Sequence, residues 1–81
     1  MSRWIKDIAD MSIDELTIAV GKSISEIRIS KNLSINFLAE SSGLDLNTLE
    51  EIESGKTITT LLDLNSIAVA LGVDTKDFFR T

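Results

Sequence analysis

Residues 34–55 read Ser-Ile-Asn-Phe-Leu-Ala-Glu-Ser-Ser-Gly-Leu-Asp-Leu-Asn-Thr-Leu-Glu-Glu-Ile-Glu-Ser-Gly. The stretch has the punctuation of two short helices around a tight turn. Ser34 has the side chain of an N-cap, and the first helix stops at Ser42-Gly43, where glycine adopts the positive φ that a sharp reversal demands. Leu44 then turns inward and Asp45 caps a second helix, which runs to Ser54 and is closed by Gly55. Leu38, Leu44, Leu49 and Ile52 fall where they fill the wedge between the two helices, and Ala39 is small enough to let them cross closely.

The flanking sequence extends the same pattern. Ser12 followed by Glu15 is a capping-box signature and opens a longer helix. Along it Ile13, Leu16, Val20, Ile24 and Ile27 form one stripe, with Gly21 as a point where the helix bends or restarts, and an end near Lys31-Asn32. On the other side Thr60, with Asp63 three residues on, starts a helix that carries Leu61, Leu64, Ile67, Ala68 and Leu71 inward and ends at Gly72. Asp74 or Thr75 begins a last short turn presenting Phe78 and Phe79. Trp4, Ile8 and Met11 lie on one side of a short N-terminal helix. No proline occurs and no repeat is visible, so the chain reads as all-α. The expectation is one five-helix domain over residues 13–81, with a helix-turn-helix at 34–55 and a recognition helix at 46–54, preceded by an N-terminal extension at 1–12.

Composition narrows the chemistry. With 81 residues the chain holds one small domain, and its 43% apolar content is enough for one core. Cysteine and histidine are both absent. Disulfides, thiolate or imidazole metal sites and Ser-His or Cys-His nucleophiles are therefore excluded. The carboxylates and serines are joined by no base, metal set or glycine-rich phosphate loop, so no enzyme, cofactor or small-molecule ligand is expected. Asp63 and Asn65 interrupt the longest apolar candidate, Leu61 to Val73, well short of the roughly 18 apolar residues of a membrane span. Met-Ser-Arg-Trp-Ile-Lys-Asp lacks the apolar region of a signal peptide. A soluble cytoplasmic protein is the expectation.

Charge is unevenly distributed. The net charge is -5. Residues 1–33 balance five cations against five anions, whereas residues 34–56 carry Lys56 alone against Glu40, Asp45, Glu50, Glu51 and Glu53. A helix meant for the DNA major groove normally sits among cations, because phosphate neutralisation supplies most non-specific affinity. Here the second helix carries acids and no Lys or Arg.

Across about residues 21 to 79 the chain resembles the phage-repressor-like helix-turn-helix proteins, the Xre family to which Cro and lambda-type repressors belong. The resemblance is carried by Gly-Lys-Ser-Ile-Ser-Glu-Ile-Arg (21–28), Leu-Ala-x-x-x-Gly-Leu (38–44), Leu49, Ile-Glu-x-Gly-Lys (52–56) and Leu-x-x-Ile-Ala-x-Ala-Leu-Gly-Val (64–73). It implies a compact five-helix, lambda-repressor-like domain and a salt bridge between Arg28 and Glu53. Helical geometry supports that pair independently: Glu53 shares a side of its helix with Leu46 and Leu49, and Arg28 flanks the Ile24 and Ile27 stripe. Both residues are read as structural, so Arg28 is not counted as a phosphate contact.

The same geometry points Asn47 and Glu51 outward, with Thr48 and Glu50 on the shoulders. In the family's docking mode these positions face base edges. The resemblance thus implies Asn47 on adenine, Thr48 on a thymine methyl or a phosphate, and Glu51 accepting from cytosine N4. Lys56, Lys31 and Lys22 would serve phosphates. The alternative for Asn47, Glu50 and Glu51 is a plain solvated face. The chain departs from the family at Ile35, where many members have Gln after the capping Ser, and at Glu50, often Ser. Ile35, Leu46, Ile18 and Ile29 leave apolar side chains outside the main stripes, as scatter or as a partner patch.

Two functions follow. One is a sequence-specific DNA-binding transcriptional regulator, a homodimer on a palindromic operator. The other keeps the fold but gives the acidic helix a protein partner, as in an antitoxin-like or adaptor module. Minimal members of the family are often phage or mobile-element repressors, restriction-modification controllers or antitoxins. For a dimer, the candidate surfaces are Val73, Phe78 and Phe79 at the C-terminus, with Phe78 also fitting its own core, and Trp4 in the extension.

Overall fold

The computed structural model describes residues 11–79, and the elements run α1 (Ile13–Ser30), α2 (Ile35–Ser42), α3 (Leu46–Glu53), α4 (Leu61–Leu71) and a 3₁₀ turn (Thr75–Phe79). The fold class is the all-α one expected, with one difference in count. Among the described residues there are four α-helices, and the fifth helical element is the five-residue 3₁₀ turn. The expected N-terminal helix, with Trp4 and Ile8, lies outside the described residues, and Met11 sits in a bend before α1.

The local signals act as their chemistry requires. Ser12 Oγ accepts from the Glu15 amide and Glu15 Oε1 accepts from the Ser12 amide, which completes the capping box. Those hydrogen bonds, the backbone one first, hold the Glu15 carboxyl below its ordinary range. Ser34 and Thr60 cap α2 and α4 by accepting from the Phe37 and Asp63 amides. Asp45 occupies the N-cap position of α3 with extended backbone, but its side chain makes no capping hydrogen bond, contrary to the role expected of it.

Helix ends share one closure. Gly43 has φ 75°, and there the Leu44 amide donates to the Ala39 carbonyl and the Gly43 amide to that of Glu40. The same paired bonds close α1 at Asn32, α3 at Gly55 and α4 at Gly72. This repeated left-handed stop keeps α2 and α3 to eight residues each.

The core is built from Val20 and Ile24 of α1, Leu38 and Ala39 of α2, Leu49 and Ile52 of α3, Leu64, Ile67, Ala68 and Leu71 of α4, and Phe78. Leu16, Ile27, Ile35 and Leu44 pack against it while partly exposed. Two expected core positions are corrected: Ile13 and Leu61 face outward. Both are the first residue of their helix, where only one side of the helix has a following turn to pack it inward.

Gly21 is the other correction. Helix α1 runs through it without a break or restart, and it is buried against α3. A Cβ at this position would overlap the Ile52 carbonyl oxygen and stand 3.1 Å from that of Glu53. Glycine is therefore needed so that α1 can lie directly on the backbone of α3. Because the obstructing atoms are backbone, Gly21→Ala is expected to cost about 1 to 3 kcal/mol in overpacking despite alanine's better helix propensity. Chemical denaturation of the variant checks this, and a gain in stability would contradict it.

Candidate nucleic-acid interface

The site begins at Arg28, near the C-terminal end of α1. Its Nε donates to Glu53 Oε2 at 2.9 Å and its Nη2 to Glu53 Oε1 at 3.0 Å, a two-pronged pair between α1 and α3. Its Nη1 donates to the Leu33 carbonyl at 2.8 Å, in the residue just before the Ser34 cap of α2. The side chains are 14% and 8% exposed, so the pair is largely removed from water. Arg28 thus joins α1, the start of α2 and the end of α3 through one rigid guanidinium. Its donors face inward, onto Glu53 and the Leu33 carbonyl. The Leu33 carbonyl was not among the expected partners. The helix end at Lys31-Asn32 was the one signal for it, because a left-handed Asn32 turns the chain back over α1.

With Glu53 held by α1, and Leu49 and Ile52 in the core, the opposite arc of α3 is fixed outward. Asn47, Glu50 and Glu51 are exposed, and Thr48 is half-buried on the flank. Leu46 is also exposed, at the first turn. Ala39 and Leu38 are buried under this arrangement, and Gly43 makes the turn that sets α3 across α2. Lys56 is exposed two residues past Ser54, the C-cap of α3, Lys31 is exposed at the end of α1, and Lys22 is exposed midway along α1.

Glu53 is neutralised by Arg28, so the exposed arc of α3 is less acidic than the helix's sequence. What faces water there is one amide, one hydroxyl and the two carboxylates of Glu50 and Glu51. Amide and carboxylate at adjacent turns of an exposed helix are groups that read adenine and cytosine edges in a major groove. The dimer candidates divide. Phe78 is wholly enclosed in its own chain's core, Val73 and Phe79 are partly buried against it, and Trp4 lies outside the described residues. Among the described residues no group of acidic side chains is arranged to hold a metal ion, and no helix is long and apolar enough to cross a membrane.

Residues 24–78 match the family model described as Helix-turn-helix, more than half of the chain. Two solved structures share the fold at similar identity. One is the restriction-modification controller protein C.AhdI from Aeromonas hydrophila, with TM-score 0.75, 29% identity, and 76% of this chain and 94% of that one covered. The other is the clp gene regulator ClgR from Corynebacterium glutamicum, with TM-score 0.75, 30% identity, and 78% of this chain and 82% of that one covered. Among curated proteins, none matches by sequence.

The geometry separates structural from surface roles. Glu53→Ala leaves Arg28 without its carboxylate in a largely dry site and is expected to destabilise the domain by about 3 kcal/mol. Asn47→Ala, on the exposed arc, should stay within about 0.5 kcal/mol of wild type. Thermal midpoints of the two variants test the division, and a wild-type midpoint for Glu53→Ala would overturn the clamp.

Proposed function

This chain belongs to the helix-turn-helix family, and from that premise we propose that it is a sequence-specific DNA-binding transcription regulator that acts in the cytoplasm as a homodimer on a palindromic operator. The observation that carries the reading is α3 itself. The Arg28 clamp holds one arc in the core and presents Asn47, Glu50 and Glu51 on the other, the orientation a recognition helix needs. Likeness to a restriction-modification controller and to a clp gene regulator supports regulation of transcription.

In this reading Asn47 makes a two-pronged contact to adenine, Glu51 accepts from cytosine N4, and Thr48 meets a thymine methyl or a phosphate. Lys56, Lys31 and Lys22, with backbone amides at helix starts, serve the phosphates. Two copies place their recognition helices in successive major grooves, about 34 Å apart. With so few cations, two or three phosphate contacts per subunit give a dimer a log-log salt slope of roughly -4 to -5. Glu50 and Glu51 lower affinity for the phosphate backbone of any sequence and leave discrimination to base edges.

A second reading is favoured by one observation. The surface of α3 carries carboxylates beside the exposed Leu46, with Phe37 exposed on α2, a combination that suits a basic, partly apolar protein. Selection of bound duplexes from a random pool, at low and at near-physiological salt, decides between the two. The regulator reading expects an enriched palindrome whose preference Asn47→Ala loses while the fold is kept. Retention of no duplex at low salt would contradict it and favour the protein partner.

A further inference from the structure

An apolar groove of about 240 Å³ runs along the buried side of α3, walled by Leu16 and Val20 of α1, Ile52 of α3, Leu64 of α4 and Phe79. Ile58 and Leu61 also line it, yet they are 59% and 85% exposed, so this part of the lining meets water. The volume falls below the roughly 300 to 1,000 Å³ of sites for drug-sized ligands, and one or two side chains fill it. Its polar lining is three threonines, Thr17, Thr57 and Thr59. Thr17 and Thr59 donate their hydroxyl protons to the Ile13 and Thr60 carbonyls, which leaves oxygen lone pairs as acceptors.

The chain carries suitable side chains beside this groove. In residues 3–11, Trp4, Ile5, Ile8 and Met11 recur at helical spacing on one side, with Arg3, Lys6, Asp7 and Asp10 on the other. A pattern of that kind calls for an apolar surface to cover. Residues 1–10 lie outside the described ones, but the point where they join the domain is defined. Met11 is half-buried in a bend, directly before the Ser12 cap, and Leu16 is the fourth residue of α1. These are the two positions of a hydrophobic staple, which sets the chain's entry on the Leu16 side of the helix. Leu16 is a wall of the groove, so the entering chain starts at its edge. Leu16 and Val20 stand about 6 and 12 Å along α1 from Ser12. Trp4, seven residues before Met11, has a reach of about 10 Å as helix and about 23 Å extended, so it gets to the groove in either conformation.

We propose that residues 1–10 dock on this groove as part of the domain, with the Trp4 indole seated in it and Ile5 and Ile8 covering Ile58 and Leu61. The proposal stands whether or not α3 reads DNA, and it assigns Trp4 to its own domain instead of to a dimer surface. Two features select this occupant over another apolar one. Indole carries one N–H donor and no acceptor, which matches a lining whose polar atoms accept, whereas an aliphatic or phenyl group leaves those acceptors unused. The segment is also tethered at the groove's edge, at an effective concentration on the order of millimolar, which a second copy or a free ligand at micromolar concentration does not match. Because Ile52 is a wall of the groove, the docked segment braces the buried side of α3.

Trp4 is the one tryptophan of the chain and tyrosine is absent, so its emission reports on the site directly. The test compares acrylamide quenching and emission wavelength in the full chain and in its Leu61→Asp and Leu62→Asp variants, with helical content measured alongside. Both changes add an acid in the first turn of α4, where the helix dipole favours it, but only Leu61 lines the groove. Wild-type Trp4 is expected to emit to the blue of free tryptophan and to be quenched several-fold less. Leu61→Asp should move both values towards those of free tryptophan at unchanged helical content, and Leu62→Asp should keep the wild-type values. If Leu61→Asp loses helical content, magnetisation transfer between the Trp4 ring and the Leu61 or Ile58 methyl groups of the wild-type chain takes its place, and its presence supports the docking while its absence overturns it. A wild-type Trp4 quenched as readily as free tryptophan overturns the proposal and leaves the groove to another occupant. Equal values in the two variants put Trp4 elsewhere and overturn it too. So does shielding that disappears on dilution through the micromolar range, which assigns Trp4 to contact between copies.

Discussion

The guanidinium of Arg28 is the constraint on which the arrangement depends. Helices of eight residues are unstable in water by themselves, so α2 and α3 take their direction from what they pack against. Leu38, Leu49 and Ile52 supply the adhesion, which is non-directional. Direction comes from Arg28, whose two prongs fix the end of α3 and whose third donor fixes the start of α2. Gly21 completes the fit by letting the backbone of α1 approach that of α3 where the clamp closes. A burial cost for two charges is offset here because each nitrogen of the fork has a partner. The result is that the outward arc of α3 is set by the interior of the protein.

That dependence changes how the acidic recognition helix is understood. Of the five acids between residues 34 and 56, Glu53 is spent on Arg28 and does not face a partner. Glu40, Asp45, Glu50 and Glu51 remain exposed, the last two on the outward arc of α3, against Lys56 at the helix end. Such a surface has little general affinity for a polyanion, so in the proposed reading its energy comes from base edges. Two weak modules held together bind far more tightly than either alone, which is what the proposed homodimer would add to the chemistry of α3.

Much of this was legible in the sequence because the signals were local. The Ser12-Glu15 box, the Ser34 and Thr60 caps and the glycine stops act within five residues, and the Arg28–Glu53 pair followed from helical phase together with family resemblance. What escaped depended on partners distant in the chain. Gly21 looks the same in sequence whether it kinks a helix or admits a neighbouring backbone, and only the crossing of α3 decides. Leu61 and Ile13 fit the apolar stripes, yet first-turn positions have no neighbouring turn to hold them inward. Asp45 had the right type and place for a cap without making the bond. The outward arc of α3 was readable from its period.

The exposed arc of α3, held by Arg28, is the surface proposed to read DNA. The most direct measurement is a titration of the isotope-labelled chain with a duplex from the selected pool, followed through backbone amide resonances. Shifts are expected to concentrate in residues 34–56, with Asn47 and Glu51 among the largest. Shifts absent from α3, or confined to other helices, would contradict it.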